Sequence, residues 1–211
     1  IFDEAQTAFG RLGHWFAATH LQVTPDIMTV SKTLGGGMPL AAVITNDEVE
    51  DVCHRRGFAF YTSHVSDPLP SAVGLAVLET IESEHLLQRS RDMGDYLAGG
   101  LRELQSRHEE IGDVRGRGLL RGIELVRDRE TREPHHELGA LTTQRCLELG
   151  LSMNIRRRPE RGSVWRIAPP LTVTKADIDL AMTIFDQALV EAKDTLAARS
   201  TAGKTLARRI A

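Results

Sequence analysis

A lysine at position 32 stands between a run of β-formers, Pro25-Asp26-Ile27-Met28-Thr29-Val30, and the glycine cluster Gly35-Gly36-Gly37. The run is mostly apolar and predicts a buried strand. The glycines behind it leave the backbone free to take positive φ and let a bulky group come close. A chain with this order turns at a strand end and carries Lys32 from that end into a cavity. Loss of water there frees an amine to attack carbonyls. The same residues also describe a surface lysine at a turn, and the rest of the chain decides between the two.

Upstream, Ile1-Phe2 predicts the end of a buried strand, followed by Asp3-Glu4-Ala5-Gln6-Thr7. An opening in mid-strand, without methionine, predicts a piece of a longer protein. Strand C-termini are where open α/β sheets bind ligands. Asp3 and Gln6 stand three apart and can face one side of a turn, Asp3 to pair with a protonated ring nitrogen and Gln6 to donate to a phenolate-like oxygen. Asp3 equally suits a helix N-cap. Downstream, Leu40-Ala41-Ala42-Val43-Ile44 predicts another buried strand, and residues 47–56 a short helix capped by Asn46. Alternating strands and helices point to an α/β layer on a mainly parallel sheet. The loop Tyr61-Thr62-Ser63-His64-Val65-Ser66-Asp67 is rich in hydroxyls and precedes a helix opened by Pro68 or Pro70. That helix N-terminus favours an anion such as a phosphate. Asp67, Ser63 and backbone carbonyls equally suit a hard cation, and a plain surface loop fits as well.

Residues 71–107 have helical periodicity with a break at Ser83-Glu84-His85, where a domain change is expected. Residues 111–126 predict two strands of a smaller sheet. The Gly116, Gly118, Gly122 spacing misses the dinucleotide fingerprint, which needs glycine at Arg121. His135-His136 has no partner at metal-ligand spacing. A helix over 138–149 is closed by Gly150, 151–155 is strand-like, and Arg156-Arg157-Arg158 predicts a charged hairpin end. Arg166 is a single arginine in the apolar stretch Val164–Leu171 and needs a partner, either a substrate carboxylate or an internal salt bridge. Thr174-Lys175-Ala176-Asp177 caps a last helix reaching about Leu196. The loosened P-loop pattern ending in Gly203-Lys204-Thr205 follows no buried strand and is a chance match. A net charge of -3 offers no electrostatic case for nucleic acid or an anionic membrane. Two cysteines, Cys53 and Cys146, and no apolar run of membrane-spanning length fit a reducing, cytoplasmic setting.

Taken in order, Asp3-Glu4-Ala5-Gln6, Ser31-Lys32-Thr33-Leu34-Gly35-Gly36-Gly37, the Ser63 loop and Arg166 resemble the class III (subgroup II) aminotransferases, pyridoxal 5'-phosphate enzymes of fold type I. The resemblance runs from residue 1 to about residue 192. Within the family it points to the branch that decarboxylates 2,2-dialkylglycines, through residues 60–70, 111–118, 150–155 and 166–171. It implies that Lys32 holds the cofactor as a Schiff base and shuttles a proton, Asp3 pairs with the pyridine nitrogen, and Gln6 contacts the ring hydroxyl oxygen. It further implies that Ser63 reaches the cofactor phosphate of a neighbouring subunit and that Arg166 binds the substrate carboxylate. Ser63, Val65 and Asp67 match part of a structural K+ or Na+ site. The chain departs from the family at Ser63, more often threonine, and at Ser66-Asp67-Pro68, usually Gly-Asn-Pro. The implied fold is α/β: the end of the large, mainly parallel-sheet domain over residues 1–85, then the small C-terminal α+β domain over 86–196. The tail, 197–211, lies outside the resemblance and is expected to be disordered. The implied reaction takes an amino acid and a 2-oxo acid in a homodimer or homotetramer, giving ketone, carbon dioxide and, from pyruvate, alanine. Plain transamination of ω-amino or acetylornithine-type substrates is the alternative, and an inactive fragment a third reading.

Overall fold

The computed structural model describes residues 1–153, 155–157 and 163–210, the side chains at 155–157 and 200–210 excepted. The chain divides into two compact units, Ile1–Asp92 and Met93–Ala211. The division lies inside a helix, not ahead of it at residue 85.

The first unit contains β1 (Phe2–Asp3), α1 (Ala17–Leu21), β2 (Ile27–Val30), a 3-10 turn (Lys32–Gly35), β3 (Ala42–Thr45), α2 (Asp47–Arg55) and α3 (Pro68–Ser83). Its strands form one sheet in the order β1-β2-β3. β1 and β2 are parallel, joined by a crossover that carries α1. β3 runs antiparallel to β2, because the turn between them is too short to return the chain to the start of the sheet. The strand expected at 40–44 forms as β3 and is the outermost strand of this sheet among the described residues. It is exposed along its whole length, Val43 to 69%. An apolar strand is buried only where a second layer covers it, and the described residues supply none over β3. Asn46 caps α2 as expected, its Oδ1 accepting from Val49 N at 3.0 Å. α3 starts at Pro68, whose missing N–H costs nothing in the first turn. It stops at Ser83, and His85 takes φ 54° before α4 (Leu86–Arg107) begins.

The second unit holds the rest of α4, then β4 (Ile111–Arg117), β5 (Leu120–Leu125), α5 (His136–Glu148), β6 (Ile155–Arg157), β7 (Ser163–Ile167) and α6 (Lys175–Ile210). Its four-stranded sheet has the order β4-β5-β7-β6, every neighbouring pair antiparallel. Alternation along β5 buries Arg121, Ile123 and Leu125 on one face. Trp165 of β7 stands opposite Ile123 and meets Phe185 of α6 edge-on, ring centroids 5.0 Å apart. Leu101, Leu104, Leu138 and Leu189 complete this core. Arg121 fills no apolar role there. It donates to the carbonyls of Gly116, Gly118 and Gly94 at 2.7, 2.9 and 2.8 Å, tying the β4–β5 turn to α4.

Three local expectations change. Residues 151–153 are not strand: Leu151 N donates to Cys146 O at 2.8 Å, wrapping the chain back on the end of α5, and strand begins at Ile155. Of the expected charged hairpin end, Arg158 and the side chains of Arg156 and Arg157 lie outside the described residues. The last helix passes Leu196 and continues to Ile210, so the expected disordered tail is helical as far as that residue. Ala, Leu, Arg and Lys dominate this stretch, and one internal glycine, Gly203, costs only about 1 kcal/mol against alanine. The helical backbone at Gly203-Lys204-Thr205 also removes the P-loop reading, although those side chains lie outside the described residues.

Candidate active site

Parallel strands end on the same edge of a sheet, so the segments leaving β1 and β2 emerge side by side. Asp3 closes β1 and pairs in register with Thr29 of β2. Lys32 lies two residues past the end of β2. The ladder continues one step past the strand, Glu4 N donating to Thr29 O at 2.9 Å.

The Asp3 carboxylate is held by two donors on the same oxygen. Oδ1 accepts from Ala5 N at 3.1 Å and from Thr29 Oγ1 at 3.1 Å. Donation from Ala5, then from Thr29, and the positive charge of Lys32 together hold its pKa below the ordinary aspartate value. Asp3 is thus a fixed anion within the field of Lys32. Lys32 itself takes φ 54°, the left-handed region, at the first position of the 3-10 turn. Such a conformation costs a non-glycine residue on the order of 1 kcal/mol and persists only where its surroundings impose it. Its side chain is exposed, so the cavity expected around it is not formed by the described residues.

Glu4 takes the opposite direction, as strand alternation requires. It is 1% exposed, and its carboxylate caps α1, accepting from Ala17 N at 3.0 Å and Ala18 N at 2.8 Å, with Thr7 Oγ1 as a third donor. A buried carboxylate is stable only with such a set of donors. Its effect is to pin the turn that holds Gln6, which is half-buried and engaged in its own contacts. Neither Glu4 nor Thr29 stands out as a functional residue in the sequence. A signal exists for Glu4, since in a strand the neighbour of an outward carboxylate points inward.

Ser63 is exposed in the loop that leads into α3. In the same loop Val65 N donates to Thr62 O at 3.2 Å, and Asp67 Oδ2 lies 2.8 Å from His64 Nδ1. Asp67 is therefore already paired with an imidazole. Among the described residues no three His, Cys, Asp or Glu side chains gather as a metal site. Arg166 belongs to the second unit. It stands on β7 opposite Gly122 of β5 and lines a cavity of about 620 Å³ with Met153, Ile167, Pro169 and Val173. Among the described residues no helix is long and apolar enough to cross a membrane.

On this strand-end edge the lysine amine can condense with a carbonyl, and the ionised carboxylate can accept a hydrogen bond from a cationic N–H. The family model "Aminotransferase class-III" matches residues 1–189. An uncharacterized aminotransferase of Schizosaccharomyces pombe is 48% identical over 189 residues, 90% of this chain and 42% of that protein. A leucine/methionine racemase of Thermococcus litoralis is 40% identical over 192 residues, 91% of this chain and 42% of that protein. Among solved structures, a transaminase from the marine bacterium Virgibacillus matches at TM-score 0.85 and 28% identity, over 92% of this chain and 45% of that one. The chain spans less than half the length of these relatives. With the order and placement of Asp3 and Lys32, these matches show that the chain belongs to the class-III aminotransferase family and has the fold of the type I pyridoxal-phosphate transaminases.

Proposed function

We propose that the protein carrying this chain transfers an amino group between an amino acid and a 2-oxo acid with pyridoxal 5'-phosphate, and that Asp3 and Lys32 are its ring-nitrogen and aldehyde partners. The observation that carries this is the strand-end pairing of a hydrogen-bonded, ionised Asp3 with an amine three residues past its register partner. Pyridoxal phosphate, when bound, supplies an aldehyde that condenses with amines and a protonated ring that takes up an electron pair. Asp3 holds the proton on the ring nitrogen. Lys32 holds the aldehyde carbon at rest and moves a proton at the substrate carbon once displaced. Gln6 donates to the ring hydroxyl oxygen, and Ser63 to the phosphate across a homodimer or homotetramer. Arg166 binds the substrate carboxylate, its cavity offering apolar walls to an alkyl chain.

The finer reading is decarboxylation coupled to transamination of 2,2-dialkylglycines, with pyruvate as acceptor. The resemblance of residues 60–70 and 166–171 to that branch supports it, as do the apolar walls beside Arg166. The structural K+ or Na+ site belongs to this reading alone and takes Ser63, Val65 and Asp67. The second reading is amino-group chemistry without carbon dioxide loss, supported by the 48% identity to an aminotransferase and the 40% identity to a leucine/methionine racemase. Purified enzyme containing this chain is given 2-aminoisobutyrate and pyruvate, and carbon dioxide and alanine are assayed together. Equal amounts are expected. Alanine from other amino donors with no carbon dioxide moves the assignment to the second reading. Borohydride reduction followed by peptide mass mapping is expected to leave the cofactor on Lys32, and a label elsewhere sinks the site itself.

A further inference from the structure

We propose that Thr29 is a positioning residue of this site, its hydroxyl fixing the Asp3 carboxylate so that one oxygen is spent on the protein and the other is presented outward. The inference rests on the reading of Asp3 as the ring-nitrogen partner and adds the residue that sets its orientation.

Three features of β2 support it. Thr29 is the single polar side chain in the strand Ile27-Met28-Thr29-Val30, and it stands at the one register position opposite Asp3. A slip of one residue would bring Met28 or Val30 there and leave the carboxylate without a side-chain donor. Threonine is β-branched and stiff at χ1, so its hydroxyl direction is set by the strand. Its donation falls on Oδ1, the oxygen that already accepts from Ala5 N. Among the described residues Oδ2 is therefore left for a further donor, which a protonated ring nitrogen supplies. Thr29 also sits three residues before Lys32, on the strand that leads into the lysine's turn. One segment thereby places both the amine and the support of its counter-anion, so the two poles of the site share one backbone reference.

The test uses the cofactor-free form of the full-length protein that carries this chain and its variants Thr29→Val and Thr29→Ser, with the Asp3 carboxyl followed by ¹³C NMR across a pH titration. Valine keeps the branched shape and the β-preference and removes only the hydroxyl. The Asp3 midpoint is expected to move up in Thr29→Val and to return toward wild type in Thr29→Ser, with amide spectra showing all three folded. An unchanged midpoint in folded Thr29→Val overturns the proposal, because a hydroxyl of merely structural importance would leave the carboxyl untouched. If valine prevents folding, Thr29→Ser set against Thr29→Ala reads the same comparison, and equal midpoints in those two also overturn it. The underlying reading has its own readout, the absorption spectrum of added pyridoxal phosphate with Asp3→Asn. If Asp3→Asn leaves that spectrum unchanged while Thr29→Val still moves the Asp3 midpoint in the otherwise native chain, the ring-nitrogen reading fails and the Thr29–Asp3 coupling stands.

Discussion

Gly94 and Gly99 lie on the same helix, α4, yet alanine at the two positions should have opposite effects. A Cβ at Gly94 would lie 2.3 Å from the carbonyl oxygen of Gly118 and 2.6 Å from its Cα, a collision with backbone that no side-chain rotation relieves. A Cβ at Gly99 meets nothing within 4 Å. Accommodating Gly94→Ala means moving the β4–β5 turn away from α4. Overpacking of this kind costs about 1–3 kcal/mol. The shift also stretches the Arg121 guanidinium between Gly94 O and the turn carbonyls, and a hydrogen bond from a charged donor is worth about 1.5–3 kcal/mol. Alanine returns about 1 kcal/mol of helix propensity. The net expectation is a loss of about 1.5–5 kcal/mol for Gly94→Ala and a gain of about 1 kcal/mol for Gly99→Ala. In urea, with Trp165 fluorescence followed in a Trp15→Phe background, that separates the two midpoints by roughly 1–3 M. Equal midpoints would refute the close approach of α4 to the turn and the bridging role of Arg121 with it.

Glu4→Ala should cost about 2–3 kcal/mol, because it leaves the N–H groups of Ala17 and Ala18 uncapped in a buried site; Trp15 fluorescence in a urea titration reads the change. His135 Nδ1 accepts from Leu138 N at the start of α5, which requires a neutral ring. Burial, reinforced by Arg127, lowers the imidazole pKa, so the unfolded chain takes up the proton first. The cap's contribution is then complete above about pH 6.5 and is lost as pH falls through the folded value. His135→Asn, an acceptor that does not titrate, should flatten thermal stability between about pH 5 and pH 7. Burial works against ionisation of Asp186, but hydrogen bonds from His108 and Arg107 outweigh it and leave the pKa lowered. Its contribution is present above the ordinary aspartate value, about 3.9, and lost below it, so Asp186→Asn should reduce the acid dependence of unfolding there.

What could be read from the sequence divides along a physical line. Helix starts are legible: the Asn46 cap, the Pro68 start and the Thr174–Asp177 box, in which Asp177 Oδ2 accepts from Thr174 N at 3.0 Å. Each depends on a side chain reaching backbone within one turn. Burial was not legible in the same way. Residues 40–44 carry a buried strand's composition, yet no layer among the described residues covers β3, since composition states only what a strand tolerates and a neighbouring layer decides what it meets. In the sequence Arg121 shows only as the residue that spoils a glycine pattern, whereas its guanidinium joins three carbonyls from the turn and from α4.

The candidate site obeys the same division. Asp3 and Lys32 could be named from chain order because each comes at the end of a strand-like run. Thr29 could not, because its meaning lies in the register of β2 against β1, which no residue type in either strand announces. Hydrogen bonding is also the sturdier support. Asp3 is exposed, and its pKa is held down first by the Ala5 and Thr29 hydrogen bonds and only last by the charge of Lys32. Attraction between exposed charges is screened over a Debye length of about 8–10 Å at moderate salt. The Ala5 bond is fixed by the chain's own turn and the Thr29 bond by the parallel pairing, and neither needs low-dielectric surroundings to keep its geometry. Raising the ionic strength should therefore weaken the influence of Lys32 on Asp3 and leave most of the lowering in place. If Asp3 is the ring-nitrogen partner proposed above, its charge is then set by its own turn and by the neighbouring strand, independently of any enclosure around Lys32.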